Sequence, residues 1–164
     1  MALNLLAVDP GSHICGYALF VEGDLVSFDF VKGTFKDVTK DAQYMANSIL
    51  FHTISALEHR RLHKLVIEYP VIYPGRSAAP PNDIVQLAYA AGIFAGILPS
   101  VSTELVLPTP KQWKGNLPKS VHHKRIMLRL DPKLQAAIRG SAKSNIEHAI
   151  DAIGLGQWAL DLCV

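Results

Sequence analysis

Cysteines, long apolar runs and internal repeats are scarce or absent in this sequence of 164 residues. The two cysteines, Cys15 and Cys163, lack a second cysteine at metal-ligand spacing, so we expect reduced and partly buried thiols. No apolar run reaches the roughly 18 residues that a membrane span needs, and the N-terminus lacks the basic leader of a signal peptide. These absences predict a cytoplasmic protein with no membrane association.

Charged residues are also sparse, at 18%, whereas 49% of the residues are hydrophobic. A chain of this composition and length can bury a core without disulfide or metal staples, so we predict one globular domain over residues 1–164. The formal net charge of +2 is unevenly divided, because residues 108–148 contain nine lysines and arginines against two acidic residues. This segment is predicted to face a polyanion, although a basic face that contacts only solvent is the alternative.

The order of the predicted elements indicates an α/β protein. Apolar runs bounded by turn formers predict a strand at 4–8, a hairpin within 16–33, and strands at 65–67 and 104–107. Helices are predicted at 39–61, from an N-cap at Asn82, at 119–130 and at 145–162, with loops or linkers at 70–81, 109–118 and 131–144. An antiparallel meander followed by parallel strands predicts a mixed central sheet flanked by helices.

Two acidic residues stand at the ends of apolar strands. Asp9 follows the first strand and begins a turn with Pro10 and Gly11, and Glu68 follows the strand at 65–67. Burial of a charge there would cost several kcal/mol unless it is paired or bound to a metal. Two-metal phosphodiester hydrolysis needs such converging carboxylates, because hard divalent cations prefer oxygen ligands. The alternatives are an aspartate that only tightens the turn and a glutamate that faces solvent.

The last predicted helix contributes a third acidic residue. His148 and Asp151 are three residues apart, so they share a helix face and can reach a common ion. Glu147 lies beside His148, but Ser144 followed three residues later by Glu147 is also the capping-box pattern of a helix start. We therefore favour His148 as the fourth residue of the site and keep Glu147 as the alternative.

Three short motifs follow one another along the chain. They are D-P-G-x-x-x-x-G-Y-A at Asp9 to Ala18, V-I-E at Val66 to Glu68, and H-A-I-D-A at His148 to Ala152. In order and spacing they resemble the motifs of the RuvC-type Holliday-junction resolvases of the RNase H-like superfamily, and the W-K-G sequence at 113–115 is similar to phage-type relatives. The similarity spans most of the chain.

This resemblance implies a fold, an activity and a set of ligands. It implies an RNase H-like fold, a homodimer and paired symmetric nicks across a four-way DNA junction. Two Mg²⁺ or Mn²⁺ ions in each active site would be held by Asp9, Glu68 and Asp151. His148 occupies a position where the family has Asp or His, and a neutral imidazole there can ligate an ion or position the attacking water.

A basic segment precedes the third motif and resembles the lysine-bearing segment of the same family. Lys114 and Lys119 are the candidates for contacting the scissile or adjacent phosphates, with Lys119 counted among the catalytic residues. Trp113 is expected to anchor this loop in the core, with base stacking as the alternative. The further candidates for DNA contact are Tyr73, Arg76, Lys111, His122, His123, Lys124 and Arg125. Tyr73 is the candidate for the aromatic wedge that the family commonly places shortly after the glutamate, where this chain has Pro70 and Val71.

Other functions remain open at this stage. Asp9-Pro10-Gly11-Ser12 also resembles a phosphate loop of actin-like and sugar-kinase ATPases, although 164 residues leave little room for their second lobe. A catalytically idle nucleic-acid-binding module and a nuclease with broader preference for branched or flap DNA are further alternatives. The small residues of the helix after Asn82 are expected to pack either on the sheet or at a dimer interface; they are Ala88, Ala91, Gly92, Ala95 and Gly96.

Overall fold

A computed structural model describes residues 3–71, 80–140 and 145–161, apart from the side chain of Thr103. The strands are β1 (Leu5–Asp9), β2 (Ile14–Val21), β3 (Asp24–Lys32), β4 (Leu62–Ile67) and β5 (Ser102–Val106). The helices are α1 (Val38–Leu57), α2 (Pro81–Ile97), α3 (Pro110–Trp113), α4 (Lys119–Leu128), α5 (Pro132–Gly140) and α6 (Ile146–Asp161), and a 3-10 turn (Leu98–Val101) follows α2.

The strands form one mixed sheet in the order β3-β2-β1-β4-β5. β1 pairs with β2 in antiparallel fashion and with β4 in parallel fashion, and β4 pairs with β5 in parallel fashion. The predicted meander followed by parallel strands is therefore confirmed. As a result β1, β3, β4 and β5 all end at the same end of the sheet, which we call the carboxyl end.

The sheet is covered on both faces, so its central strand is apolar throughout. Leu6 and Val8 of β1 pack with Met45 and Ile49 of α1 on one face, in a core that α2 also joins. Leu5 and Ala7 point to the other face, where α6 and the chain from α3 to α5 form a second core. Residues 5–8 are fully buried because helices cover both faces, which explains their continuous apolar run.

Three predictions about the connecting segments were wrong. The predicted linker at 131–144 contains α5, which begins after the Asp131 carboxylate accepts a hydrogen bond from the backbone N of Lys133 (2.7 Å). The predicted loop at 109–118 contains the one-turn helix α3, whose start is stabilised by a capping box between Thr109 and Gln112. Helix α2 is preceded by Pro80 without a side-chain cap, and Asn82 lies inside it.

The small residues of α2 do not all pack on the sheet. A Cβ atom added at Gly92 or Gly96 would meet nothing within 4 Å, and the nearby Val85 and Tyr89 are 62% and 54% exposed. By length and composition alone the segment Pro81–Val101 is apolar enough to cross a membrane, with a mean hydropathy of 1.8. A single helix of this kind is weak evidence for a membrane protein, and the sequence contains no uninterrupted run of 18 apolar residues.

A buried carboxylate fixes the start of α1. Asp41 is 1% exposed, and it accepts hydrogen bonds from the backbone N of Phe35 (2.8 Å) and from Nδ1 of His13 (2.7 Å). Burial alone would raise the pKa of Asp41, but these hydrogen bonds and the charge of His13 hold that pKa below its ordinary value of 3.8. Asp41 thus ties the β1–β2 turn to the connection between β3 and α1.

We expect Asp41→Asn to reduce the free energy of unfolding by about 1 to 3 kcal/mol at neutral pH, because the buried network loses its charged acceptor. Since the folded pKa of Asp41 lies below 3.8, its stabilisation is complete above that pH and is lost as the pH falls through the folded value. Urea unfolding at pH 7 and at pH 3 measures both effects. The control Asp37→Asn alters the exposed N-cap of the same helix and should be nearly neutral, since Asn also caps well. Equal losses in both variants would contradict the role of Asp41.

Candidate active site

The three predicted carboxylates all lie at the carboxyl end of the sheet. Asp9 is the last residue of β1, and Glu68 directly follows β4, where its backbone N donates to the carbonyl of Val8 (3.1 Å). Because β1 and β4 are parallel neighbours, both side chains leave the sheet at the same end. Asp151 comes from the first turns of α6, which packs across this part of the sheet, and its side chain is 9% exposed.

A glycine in β2 allows α6 to approach the sheet closely. Gly16 pairs with Asp9 in the sheet, and a Cβ atom at Gly16 would lie 2.0 Å from the carbonyl oxygen of His148. Any other residue would therefore push the first turn of α6 away from β1. This contact gives a physical reason for the glycine of the first motif and brings His148 beside Asp9.

Each carboxylate has its own partners in the structure. His148 Nδ1 lies 3.2 Å from Asp9 Oδ2. Glu68 Oε2 accepts hydrogen bonds from the indole Nε1 of Trp113 (2.5 Å) and from Lys114 Nζ (3.2 Å). The third carboxylate lies between two groups from α4: Asp151 Oδ1 contacts His123 Nε2 at 2.8 Å, and Asp151 Oδ2 contacts Lys119 Nζ at 3.2 Å.

The pKa shifts of these groups differ in direction. Burial, reinforced by the negative charge of Asp151, raises the pKa of Asp9, and burial together with the charge of Asp9 raises the pKa of Glu68. Asp151 behaves differently: although burial opposes ionisation, His123 and Lys119 hold its pKa below the ordinary value. The hydrogen bond with Asp9 raises the pKa of His148. A cluster of carboxylates that repel one another favours binding of a cation between them.

The donor set suits a divalent metal ion of the Mg²⁺ or Mn²⁺ kind. Three carboxylates and one imidazole can supply the oxygen-rich coordination that these hard cations prefer. In the described part of the chain, no three acidic, histidine or cysteine side chains are arranged so that they could hold one ion. Lys114 forms an ion pair with Glu68, and Lys119 forms one with Asp151. Metal binding by the three carboxylates and His148 would therefore require both ion pairs to rearrange.

The structure separates the two candidates for the fourth position. His148 reaches Asp9, whereas Glu147 is 53% exposed and pairs with Lys119 at 3.1 Å. Ser144, the predicted capping partner of Glu147, lies outside the described residues. The arrangement therefore favours His148 over Glu147 as the fourth residue of the candidate site.

The predicted DNA-contacting residues lie in different places. Lys111, Lys124 and Arg125 are exposed on α3 and α4. His122 packs edge-on against Trp113, with ring centroids 4.8 Å apart, and its Nε2 is buried. His123 faces Asp151, so the contacts of these two histidines favour support of the site over the predicted phosphate contact. Tyr73 and Arg76 lie outside the described residues, as does Cys163, whereas Cys15 is buried as predicted.

Two supporting residues were not recognised from the sequence. Trp113 is 7% exposed, which confirms its role as a core anchor, but its hydrogen bond to Glu68 was not predicted. His123 was considered only for DNA contact. The spacing of Lys119 and His123 contained a usable signal, because residues four apart share a helix face and both groups meet Asp151.

Comparison with solved structures identifies the fold. The structure of Thermus thermophilus RuvC matches over 98% of this chain and 95% of its own, with a TM-score of 0.57 and 15% identity. Thermus thermophilus RuvC in complex with a Holliday-junction substrate matches over 98% and 94%, with a TM-score of 0.52 and 15% identity. The yeast mitochondrial Holliday-junction resolvase Ydc2 matches over 99% and 81%, with a TM-score of 0.55 and 13% identity.

The chain therefore has an RNase H-like fold of the kind found in RuvC-type resolvases, as the motifs predicted. No protein-family model matches the sequence, and no curated protein matches it. At these identities the similarity establishes the fold, while the chemistry has to be argued from the residues of this chain.

We expect Trp113→Phe to weaken Mn²⁺ binding by about 10-fold or more, because phenylalanine keeps the packing but cannot donate to Glu68, and loss of such supporting hydrogen bonds typically has this effect. Isothermal titration with Mn²⁺ measures the affinity, and thermal unfolding checks the fold. The control Trp158→Phe changes a partly buried tryptophan on α6 and should bind Mn²⁺ normally. Wild-type affinity in Trp113→Phe would show that the indole N–H does not orient Glu68.

Proposed function

We propose that this chain is a metal-dependent endonuclease that resolves four-way DNA junctions by paired symmetric nicks. The observation that carries the proposal is the convergence of Asp9, Glu68 and Asp151 at the carboxyl end of an RNase H-like sheet, with His148 beside Asp9. The solved complex of Thermus thermophilus RuvC with a Holliday-junction substrate supports the choice of substrate.

The proposed chemistry is in-line attack of water on a DNA phosphodiester. Two divalent ions held by the carboxylates would supply water activation and neutralise the charge that develops on the leaving 3′ oxygen. Asp9, Glu68 and Asp151 would hold these ions, and Trp113 and His123 keep two of the carboxylates oriented. His148 accompanies Asp9 and can ligate an ion or position the attacking water through its imidazole.

Two lysines are placed to assist this reaction. Lys114 contacts Glu68 and Lys119 contacts Asp151, so both ammonium groups lie at the edge of the carboxylate cluster. A flexible side chain with a point charge can move from a carboxylate to a phosphate oxygen as a substrate enters. Such movement would stabilise the anionic transition state electrostatically.

We expect Asp9→Asn and Asp151→Asn to abolish Mg²⁺-dependent cleavage while DNA binding survives, because each removes ligand charge without removing any basic residue. The assay compares a labelled four-way junction, a flap and a linear duplex, each with Mg²⁺ or EDTA. The control Asp161→Asn alters an exposed aspartate at the end of α6 and should cut like wild type.

The same assay distinguishes the competing functions. Paired nicks restricted to the four-way junction support a resolvase, and cutting of flaps as well supports a broader nuclease for branched DNA. Binding without cleavage by the wild-type chain would identify an idle binding module. Full cleavage by either carboxylate variant would exclude the assigned metal site.

Paired nicks require two active sites, and we propose that α2 forms the interface of a homodimer. Val85, Tyr89, Gly92 and Gly96 follow helical spacing along one exposed, largely apolar face. Contiguous exposed apolar residues of this kind mark interaction surfaces, and small residues allow two helices to approach closely. The same surface on two copies is sufficient for a closed symmetric dimer.

We expect Gly92→Lys to convert a dimer into a monomer, because Gly92 faces open space in the single chain and a buried lysine would oppose association. Light scattering coupled to size-exclusion chromatography measures the mass. Val26→Lys, on the exposed side of β3, is the control and should remain dimeric. If the wild type is a monomer and floats with lipid vesicles in a density gradient, the exposed face of α2 binds a membrane and not a second copy of the chain.

A further inference from the structure

A second group of basic and aromatic residues lies at the carboxyl end of the sheet, on the side of β3. We call His13, Lys32, Phe35 and Lys36 the β3–α1 surface. His13 belongs to the turn that begins at Asp9, Lys32 is the last residue of β3, and Phe35 and Lys36 connect β3 to α1. None of these four residues belongs to the carboxylate cluster or to the basic segment at 108–148.

The imidazole of His13 is held in place by a buried acid. Its Nδ1 donates to Asp41 Oδ2 at 2.7 Å, while the side chain of His13 remains 47% exposed and that of Asp41 only 1%. Gly33 completes the arrangement, because a Cβ atom there would lie 2.2 Å from Asp41 Cγ. The backbone of Gly33 also donates to the carbonyl of His13 (2.8 Å). The exposed side of the ring is therefore presented to solvent in a fixed orientation.

Two lysines beside this histidine have no acidic partner within the described part of the chain. Lys32 and Lys36 are exposed, and none of the ion pairs among the described residues includes either of them, unlike Lys114 and Lys119. With His13 and the largely buried Asp41 they line an open pocket of about 590 Å³. Asp37, which follows Lys36, caps α1 by accepting a hydrogen bond from the backbone N of Lys40. The ammonium groups of Lys32 and Lys36 are thus available to an external anion, while Nδ1 of His13 stays with Asp41.

An exposed aromatic pair adjoins the lysines. Phe35 is 54% exposed and Tyr44 is 44% exposed, and their rings meet edge-on with centroids 6.0 Å apart. The ring of Phe35 lies between Lys32 and Lys36 in sequence and is more than half exposed. Neither packing in the core nor solubility accounts for an apolar ring at this position. Cations that follow a backbone, with an aromatic ring for the bases, form the usual combination for contact with nucleic acid strands.

We propose that the β3–α1 surface is a second DNA contact, which binds backbone phosphates through Lys32, Lys36 and His13 and places Phe35 against a base. This inference rests on the proposed function, since it takes DNA as the substrate. A strand that crosses Asp9 would meet the β3–α1 surface on one side and the basic residues of α3 and α4 on the other. The active site would then lie in the middle of the bound DNA.

The test measures DNA affinity against salt concentration, with a labelled four-way junction in EDTA so that no cleavage occurs. We expect the double variant Lys32→Ala/Lys36→Ala to lower the slope of log K against log salt by about two, since each phosphate contact contributes about one. Phe35→Leu should weaken binding by about 5-fold or more without changing the slope, because it removes stacking and no charge. The control Arg60→Ala/Arg61→Ala removes the same charge at the opposite end of the sheet, before β4.

The outcomes separate this inference from the proposed nuclease activity. A reduced slope in the lysine variant, with the wild-type slope kept in the arginine control, supports the surface whether or not the wild type cleaves DNA. An unchanged slope in the lysine variant, or an equal loss in the control, overturns it even if the wild type cuts junctions. Failure of the wild type to bind any DNA would overturn both proposals.

Discussion

Burial of three carboxylates, Asp9, Glu68 and Asp151, at one end of the sheet is the constraint on which the rest of the site depends. The fold removes all three carboxylates from most of the solvent, and the charges of Asp151 and Glu68 lie close enough to that of Asp9 to shift pKa values upward. Such a cluster is costly unless cations or hydrogen-bond donors compensate it. His148, Lys114 and Lys119, with Trp113 and His123, supply that compensation from three separate helices.

The positions of Asp9 and Glu68 could be predicted because strand ends are visible in the sequence. An apolar run followed by Asp-Pro-Gly or by Glu-Tyr-Pro marks both the strand and the place where it ends. Parallel pairing then brings the two ends together, and the motif on α6 adds Asp151 and His148. The mixed sheet also followed from the order of the elements, since a hairpin next to alternating strands and helices permits few other arrangements.

The supporting contacts could not be predicted in the same way. Trp113 and Glu68 are 45 residues apart, and their contact depends on how α3 folds back toward β4. The segment 109–118 contains proline and glycine, which indicate a loop, whereas a capping box makes part of it helical. Helix α5 was missed for a similar reason. The sequence Asp131-Pro132 indicates the end of a helix, but here it begins one.

The basic residues fall into two classes that total charge does not distinguish. Lys114 and Lys119 are each paired with a carboxylate, so they balance the site and are available to a phosphate only when those pairs open. Lys32 and Lys36 carry no such pairing among the described residues, and Lys111, Lys124 and Arg125 are exposed on the other side of the site. A DNA substrate of the proposed kind would therefore meet unpaired cations before paired ones. This order would let the outer residues bind DNA while the inner lysines remain with the carboxylates until the phosphate is in place.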